Sequence, residues 1–272
     1  MARCLGLADE QHYVVSDFEP NRFSADPAFV YAAAVRGENG EVLGGVAVVW
    51  DAAAQLRSIL DDVFSGCGPR DALAFVDALG LTEVDLFGFS IGGFVAQEVA
   101  LQRPHLVRRM ILAGTGPQGG REMHGWIDEA RAHAMKDVQG EEDVLYLFFS
   151  PSQESQNKGK EFVGRIFTRT EGRDTTPDLA ARDAQAAAII EWGIRDVAKL
   201  ARLANIQAPT LVANGDNDVM VPTVNSYLLA GHLPNATLSI YPDANHGFLF
   251  QYPHEFAGEV NAFLAASARG SR

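Results

Sequence analysis

The hydrophobic pattern is clearest in the middle of the chain. Residues 71–79 (DALAFVDAL) carry apolar positions at helical spacing and stop at Gly80, which predicts a helix with glycine just past its end. Residues 84–89 (VDLFGF) form a short apolar run between turn residues and predict a buried strand. Helical spacing returns over 94–102 (FVAQEVALQ) and stops before Pro104, and 109–113 (RMILA) predicts the next strand. Helix, strand, helix, strand at this spacing is the order of a parallel sheet covered on both faces, so the fold class is α/β. The pattern resumes after Pro209, with strands over 210–213 and 237–241, a helix over 223–230 and a closing helix from about His254 to Ala265.

Between these halves, from Pro117 to Arg195, strand alternation gives way to helical stretches rich in aromatic residues. The expected organisation is therefore a sheet built from 1–116 and 196–272, interrupted by a helical insertion over 117–195. The aromatic side chains of Trp126, Phe148, Phe149 and Trp192 either supply the apolar face on which such helices dock or line a substrate cavity. Toward the N-terminus, 46–50 (VAVVW) predicts a buried strand and 52–63 a helix, while residues 1–41 offer no strong strand signal beyond 12–15.

Composition narrows the class of partner. The 272 residues include 22 Lys and Arg against 35 Asp and Glu, a formal net charge of −13, and 47% are hydrophobic. A soluble globular enzyme or binding protein fits; a nucleic-acid backbone or an anionic membrane surface would attract clustered basic residues that this chain lacks. Two cysteines, Cys4 and Cys67, cannot make a disulfide framework and are expected as ordinary thiols. The first fifteen residues include Arg3, Asp9 and Glu10 and so lack the apolar stretch of a secretory signal, and no run of about 18 apolar residues occurs. The expected location is the cytoplasm.

The candidate chemistry begins at Gly88-Phe89-Ser90-Ile91-Gly92, which matches G-x-S-x-G where a strand must turn into a helix. A nucleophile at so tight a turn sits in strained backbone and needs small neighbours, here Gly88, Gly92 and Gly93. The helix that follows aims its first amides at the site, so the amide of Ile91 is placed to stabilise an oxyanion. A serine hydroxyl is a weak nucleophile until a base accepts its proton, and that base needs an acid to orient it. Two later strands end in loops that supply them, Asn214 to Pro222 and Pro242 to Phe248. Asp218 is expected as the acid, with Asp216 holding the turn, and His246 as the base, because His232 precedes a strand and His254 falls on the closing helix.

With these motifs in place, the sequence resembles the α/β-hydrolase superfamily, in particular its capped esterase-like and haloperoxidase-like members. The likeness is carried by 72–116, 208–222 and 243–264, roughly half of the chain. It implies Ser90 as nucleophile, Asp218 as acid, His246 as base, and the insertion as a cap over the site. Serine rather than aspartate at the nucleophile position sets the chain apart from dehalogenase-like and epoxide-hydrolase-like branches. The family's upstream His-Gly turn, which gives the second oxyanion amide, has no counterpart before His124-Gly125. Counting back from the elbow places that turn near Asn21 to Ser24, with the amide of Phe23 as the candidate.

Two other motifs carry less. Gly114-Thr115-Gly116-Pro117-Gln118-Gly119 formally matches a dinucleotide-binding G-x-G-x-x-G, but Pro117 removes one amide and no second strand ending in an acidic residue follows. His124, Glu129 and His133 lack metal-ligand spacing, so no metal or other cofactor is expected. The reading is a cofactor-free serine hydrolase acting on a small ester, thioester or related apolar acyl compound. The same triad would also serve carbon–carbon bond hydrolysis, acyl transfer or perhydrolysis, and a chain lacking its upstream turn could instead be a binding protein on this fold.

Overall fold

The computed structural model describes residues 14–15, 20–21, 24–27, 29–36, 42–50, 68–166, 168 and 179–266. They fall into two compact units: the residues up to Leu81 join those of the 176–185 stretch, and residues 82–175 join those from 186 onward.

The first unit is built on antiparallel pairing. Strands β1 (Val14–Val15), β4 (Phe29–Arg36) and β5 (Val42–Trp50) form one sheet in the order β1-β4-β5, and β2 (Pro20–Asn21) pairs with β3 (Ser24–Pro27). The strand expected over 46–50 is the second half of β5, whereas β4 was not foreseen. Its core, Tyr31-Ala32-Ala33-Ala34-Val35, is rich in alanine, a weak strand former, and it is the long register from Phe29↔Trp50 to Arg36↔Val42 that makes it a strand. Helix α1 (Gly68–Ala78) closes this part as expected, with Gly80 at φ 65. The helix expected over 52–63, both cysteines and Phe23 lie outside the described residues.

In the second unit a parallel four-stranded sheet runs in the order β6 (Val84–Phe89), β7 (Val107–Ala113), β8 (Thr210–Gly215) and β9 (Ala236–Tyr241). The apolar stretches 110–113 of β7 and 211–213 of β8 are covered on both faces: Met110, Leu112 and Val212 are at most 1% exposed, and on the other face Ile111, Ala113, Leu211 and Ala213 pack with Tyr241, Phe248 and Phe256 in one core cluster. Burying a phenylalanine or isoleucine fully stabilises by about 1.5–3 kcal/mol, so this cluster fixes the register that lines up the strand ends. Helix α2 (Ile91–Gln102) follows β6 with no intervening loop. It starts three residues before the apolar spacing predicted, since Ile91 and Gly92 are already in its first turn. Gln97, the polar residue on its buried side, is satisfied by the carbonyls of Gly93 and Gly116 at 2.8 and 3.1 Å.

Between β7 and β8 lie α3 (Asp128–Ala134), α4 (Glu141–Phe148), α5 (Gln153–Ile166), α6 (Leu179–Trp192) and α7 (Val197–Ala201). After β8 come α8 (Val224–His232), then β9, the single turn α9 (Phe248–Gln251) and α10 (Pro253–Ala265). The C-terminal helix is tied to the sheet through β7: Arg108 pairs with Asp85 and donates to the Leu264 carbonyl, and Arg109 donates to the Ala266 carbonyl. Among the described residues no helix is long and apolar enough to cross a membrane.

Candidate active site

Three loops at the C-terminal ends of parallel strands converge. Ser90 follows β6 directly, Asp218 follows β8 and His246 follows β9. This is the edge where open α/β sheets place ligands, because diverging connections leave a crevice there.

Ser90 has φ 53 and ψ −122, left-handed backbone that a non-glycine residue adopts only under constraint. The constraint is the strand on one side and the helix on the other: the Ser90 amide donates to the Ala113 carbonyl at 2.9 Å, and the Ser90 carbonyl accepts from Gly93 at 2.9 Å. Two glycines make room. A methyl group at Gly88 would stand 2.5 Å from the Gly92 carbonyl oxygen, and one at Gly93 would collide with the Thr115 side chain. The third expected glycine differs, since a methyl at Gly92 would meet open space. Ile91 is the first residue of α2, so its amide is among the first-turn donors with no acceptor inside the helix.

His246 Nε2 stands 3.0 Å from Ser90 Oγ, and its Nδ1 stands 2.9 Å from Asp218 Oδ2. Asp218 uses its other oxygen to accept from the amides of Met220 and Val221, both at 2.8 Å, so the carboxylate is fully engaged although 5% exposed. Asp216, by contrast, is exposed and belongs to the turn, where Oδ1 accepts from the Ala244 amide at 3.1 Å. The imidazole contacts two rings, Phe89 at 4.9 Å and Phe148, inclined to it by 73°, at 5.4 Å. It is 2% exposed, which shields its hydrogen bonds from water.

The insertion residues divide. Phe148 reaches the histidine, and its carbonyl accepts from the Gly247 amide at 2.8 Å, which ties α4 to the base loop. Trp126 is half-buried and donates from its indole to the Met220 carbonyl at 3.0 Å, next to the acid loop. Phe149 and Trp192 are engaged otherwise. Phe149, 1% exposed, packs on Phe162 and on Gly159 of α5. Trp192, 2% exposed, stacks on Phe94 at 4.6 Å and donates to the Gly116 carbonyl. Both rings are buried in packing contacts between elements of the fold.

The competing motifs also find structural explanations. Gly114, at φ 53, lies under the rings of Phe89 and His246; Gly116 lies against Met123; and Gly119, at φ 79, meets the backbone of Asp196. His133 bonds Asp143 at 2.6 Å and stacks on Tyr146 at 4.2 Å. Among the described residues no group of three or more His, Cys, Asp or Glu side chains is arranged to hold a metal ion.

Asp143 is 1% exposed and joins α4 to the end of α3 through Lys136 at 2.5 Å, His133, and the Gly140 amide at 2.8 Å. Burial works to raise its pKa, but the bonds from Lys136, Gly140 and His133 outweigh it and lower the value from 3.8 to about 2. The folded value lies below the unfolded one, so this carboxylate's stabilisation is present above pH 3.8 and is lost as pH falls toward about 2. Melting temperatures of the wild type are therefore expected to fall more steeply over that window than those of Asp143→Asn, which starts lower at neutral pH. Parallel curves would show that the carboxylate contributes nothing through its charge.

Comparison with known proteins agrees with this architecture. A family model for the α/β hydrolase fold matches residues 69–253, and the chain belongs to the α/β-hydrolase family. It is 31% identical over 206 residues to the poly(3-hydroxyalkanoate) depolymerase of Ectopseudomonas oleovorans, a match covering 70% of this chain and 63% of that enzyme. It is 26% identical over 201 residues to the 2-hydroxy-6-oxononadienedioate/2-hydroxy-6-oxononatrienedioate hydrolase 2 of Pseudomonas putida, covering 70% of this chain and 65% of the relative. The chain thus spans a little under two thirds of the length of these two enzymes. Among solved structures, an α/β hydrolase fold protein from Chitinophaga pinensis superposes with a TM-score of 0.72 at 28% identity, covering 94% of this chain and 98% of that one. Both relatives bear the names of hydrolytic enzymes, one a depolymerase and the other a hydrolase.

Proposed function

We infer that the enzyme cleaves an ester or related apolar acyl compound with Ser90 as nucleophile, His246 as proton shuttle and Asp218 as the group that orients the imidazole. The observation that carries this reading is the unbroken chain from Asp218 Oδ2 through both imidazole nitrogens to Ser90 Oγ, 2.9 and 3.0 Å long. With Nδ1–H donated to Asp218, Nε2 is left as an acceptor, the tautomer needed to take the serine proton. Oγ then adds to the acyl carbonyl, and the negative charge on its oxygen falls at the start of α2, where the Ile91 amide donates. His246 returns the proton to the leaving alcohol, and the acyl-enzyme is hydrolysed when the same nitrogen deprotonates a water.

An ester is favoured over the other acyl bonds because the 31% identical relative bears the name of a depolymerase of poly(3-hydroxyalkanoate), a polyester. The helices over 117–195 act as the cap, with Phe148 and Trp126 nearest the base and acid loops. A small apolar acyl group suits the rings of Phe89 and Phe148 beside His246.

A fluorophosphonate probe tests the assignment. The expected result is one stoichiometric adduct, mapped by peptide mass spectrometry to the peptide containing Ser90, with concurrent loss of turnover of a short activated ester. An adduct on a different serine, or inactivation without modification of Ser90, would remove the basis of the proposal.

A further inference from the structure

We propose that Asn245 is a positioning residue that holds the acid loop, the base and the cap helix in one register. The proposal rests on the triad reading above. Asn245 is 3% exposed and touches none of the reacting atoms, yet its carboxamide joins three segments. Oδ1 accepts from the amide of Val219, the residue after the acid, and from the amide of His246 itself, both at 2.8 Å. Nδ2 donates to the carbonyl of Tyr146 in α4 at 3.0 Å. The main-chain carbonyl of Asn245 accepts from Phe248 at 3.0 Å, which starts the turn of α9 and fixes the loop from behind.

This arrangement uses the two ends of the carboxamide for different tasks. The acceptor end sets the distance between acid and base, because a single oxygen bonds the residue adjoining Asp218 and the backbone of His246. The donor end hooks on α4, which carries Phe148 to the imidazole two residues later. The two ends cannot exchange: a flipped amide would set its NH2 against two N–H donors and its oxygen against a carbonyl. Aspartate at this position would keep the acceptor end and lose the donor, whereas alanine would lose both. The two substitutions therefore separate alignment of the triad from attachment of the cap.

The test compares Asn245→Ala and Asn245→Asp with the wild type on a short ester, well below each melting temperature, alongside the rate of fluorophosphonate labelling. Misplacement of a catalytic group by about 1 Å can cost roughly 100-fold, so Asn245→Ala is expected to lose on the order of 100-fold in kcat and to label Ser90 correspondingly slowly. Asn245→Asp is expected to recover most of that kcat while its KM rises, because the acid–base link is restored and the α4 hook is not. Should the alanine variant fail to fold, the aspartate variant decides through its KM-to-kcat split. A purely structural residue would lower the melting temperature and leave kcat and KM at wild-type values in both variants, and that result overturns the proposal. An aspartate variant as impaired in kcat as alanine overturns it too. The triad reading is judged separately on Ser90→Ala: activity retained there removes the triad, whereas activity lost there with full kcat in Asn245→Ala removes only the positioning role.

Discussion

Ser90→Ala is expected to lower kcat on an activated ester by about six orders of magnitude, the scale seen when a triad loses its nucleophile. His246→Ala should cost about as much, and the double variant little more, because nucleophile and base act as one unit and removing either abolishes the same step. The geometry behind this is the 3.0 Å contact between Oγ and Nε2, which leaves no other hydroxyl in reach of the base among the hydrogen bonds of the described site. Measurement by active-site titration guards against trace wild-type enzyme. Stability gives an independent readout. The left-handed backbone at Ser90 costs a residue bearing a Cβ on the order of 1–3 kcal/mol, and alanine bears that cost as serine does. Ser90→Ala should therefore melt close to the wild type, while Ser90→Gly, equally inactive, should melt higher. An alanine variant within tenfold of the wild-type rate would mean that another group performs the attack.

Asp218→Asn should reduce kcat by about 10⁴-fold, and Asp216→Asn by less than tenfold. The two aspartates are two residues apart, yet the structure separates them cleanly. Oδ1 of Asp218 is held by the amides of Met220 and Val221, so an asparagine there must keep its oxygen on that side. Its NH2 group then takes the place of Oδ2 and donates to His246 Nδ1. The imidazole is forced to carry its proton on Nε2, facing Ser90, where it can no longer accept one. The loss is thus one of tautomer and charge, with the fold intact, and the melting temperature should change far less than the rate. Asp216 makes no bond to the imidazole, and its substitution perturbs only the turn at Ala244. A larger loss in Asp216→Asn would reverse the assignment of the acid.

The candidate site was legible because each of its parts is announced locally. A glycine-flanked serine at the end of an apolar run, and two loops of turn residues at the ends of later runs, identify Ser90, Asp218 and His246 without long-range information. What stayed hidden depends on which way a side chain points. Four aromatics of the insertion look alike as letters, but Phe148, the last residue of α4, meets the imidazole while Phe149, just past the helix end, packs on Phe162 of α5. The backbone turns from helical to extended at Phe149, with φ −128 and ψ 143, and spacing alone cannot say where the helix stops or which ring then meets the site. β4 escaped for a related reason: alanines carry no strand signal, and its pairing with β5 supplies what its own residues lack. Asn245 and Asp143 were hidden because a buried amide or carboxylate reads as an ordinary loop or surface residue until its partners are in place.

The long separation of the triad members along the chain has a consequence for how the site comes into being during folding. Asp218 and His246 are 28 residues apart, whereas Ser90 and His246 are 156 apart. Loop closure entropy grows as three halves of RT times the logarithm of length, so joining the serine to the base costs about 1.5 kcal/mol more than joining the base to the acid. The imidazole and its carboxylate can therefore pair as soon as β8 and β9 align, while the nucleophile must await the pairing of β7 with β8. During refolding, the competence to hydrolyse should emerge as one of the last properties the chain regains, well after its helices have formed.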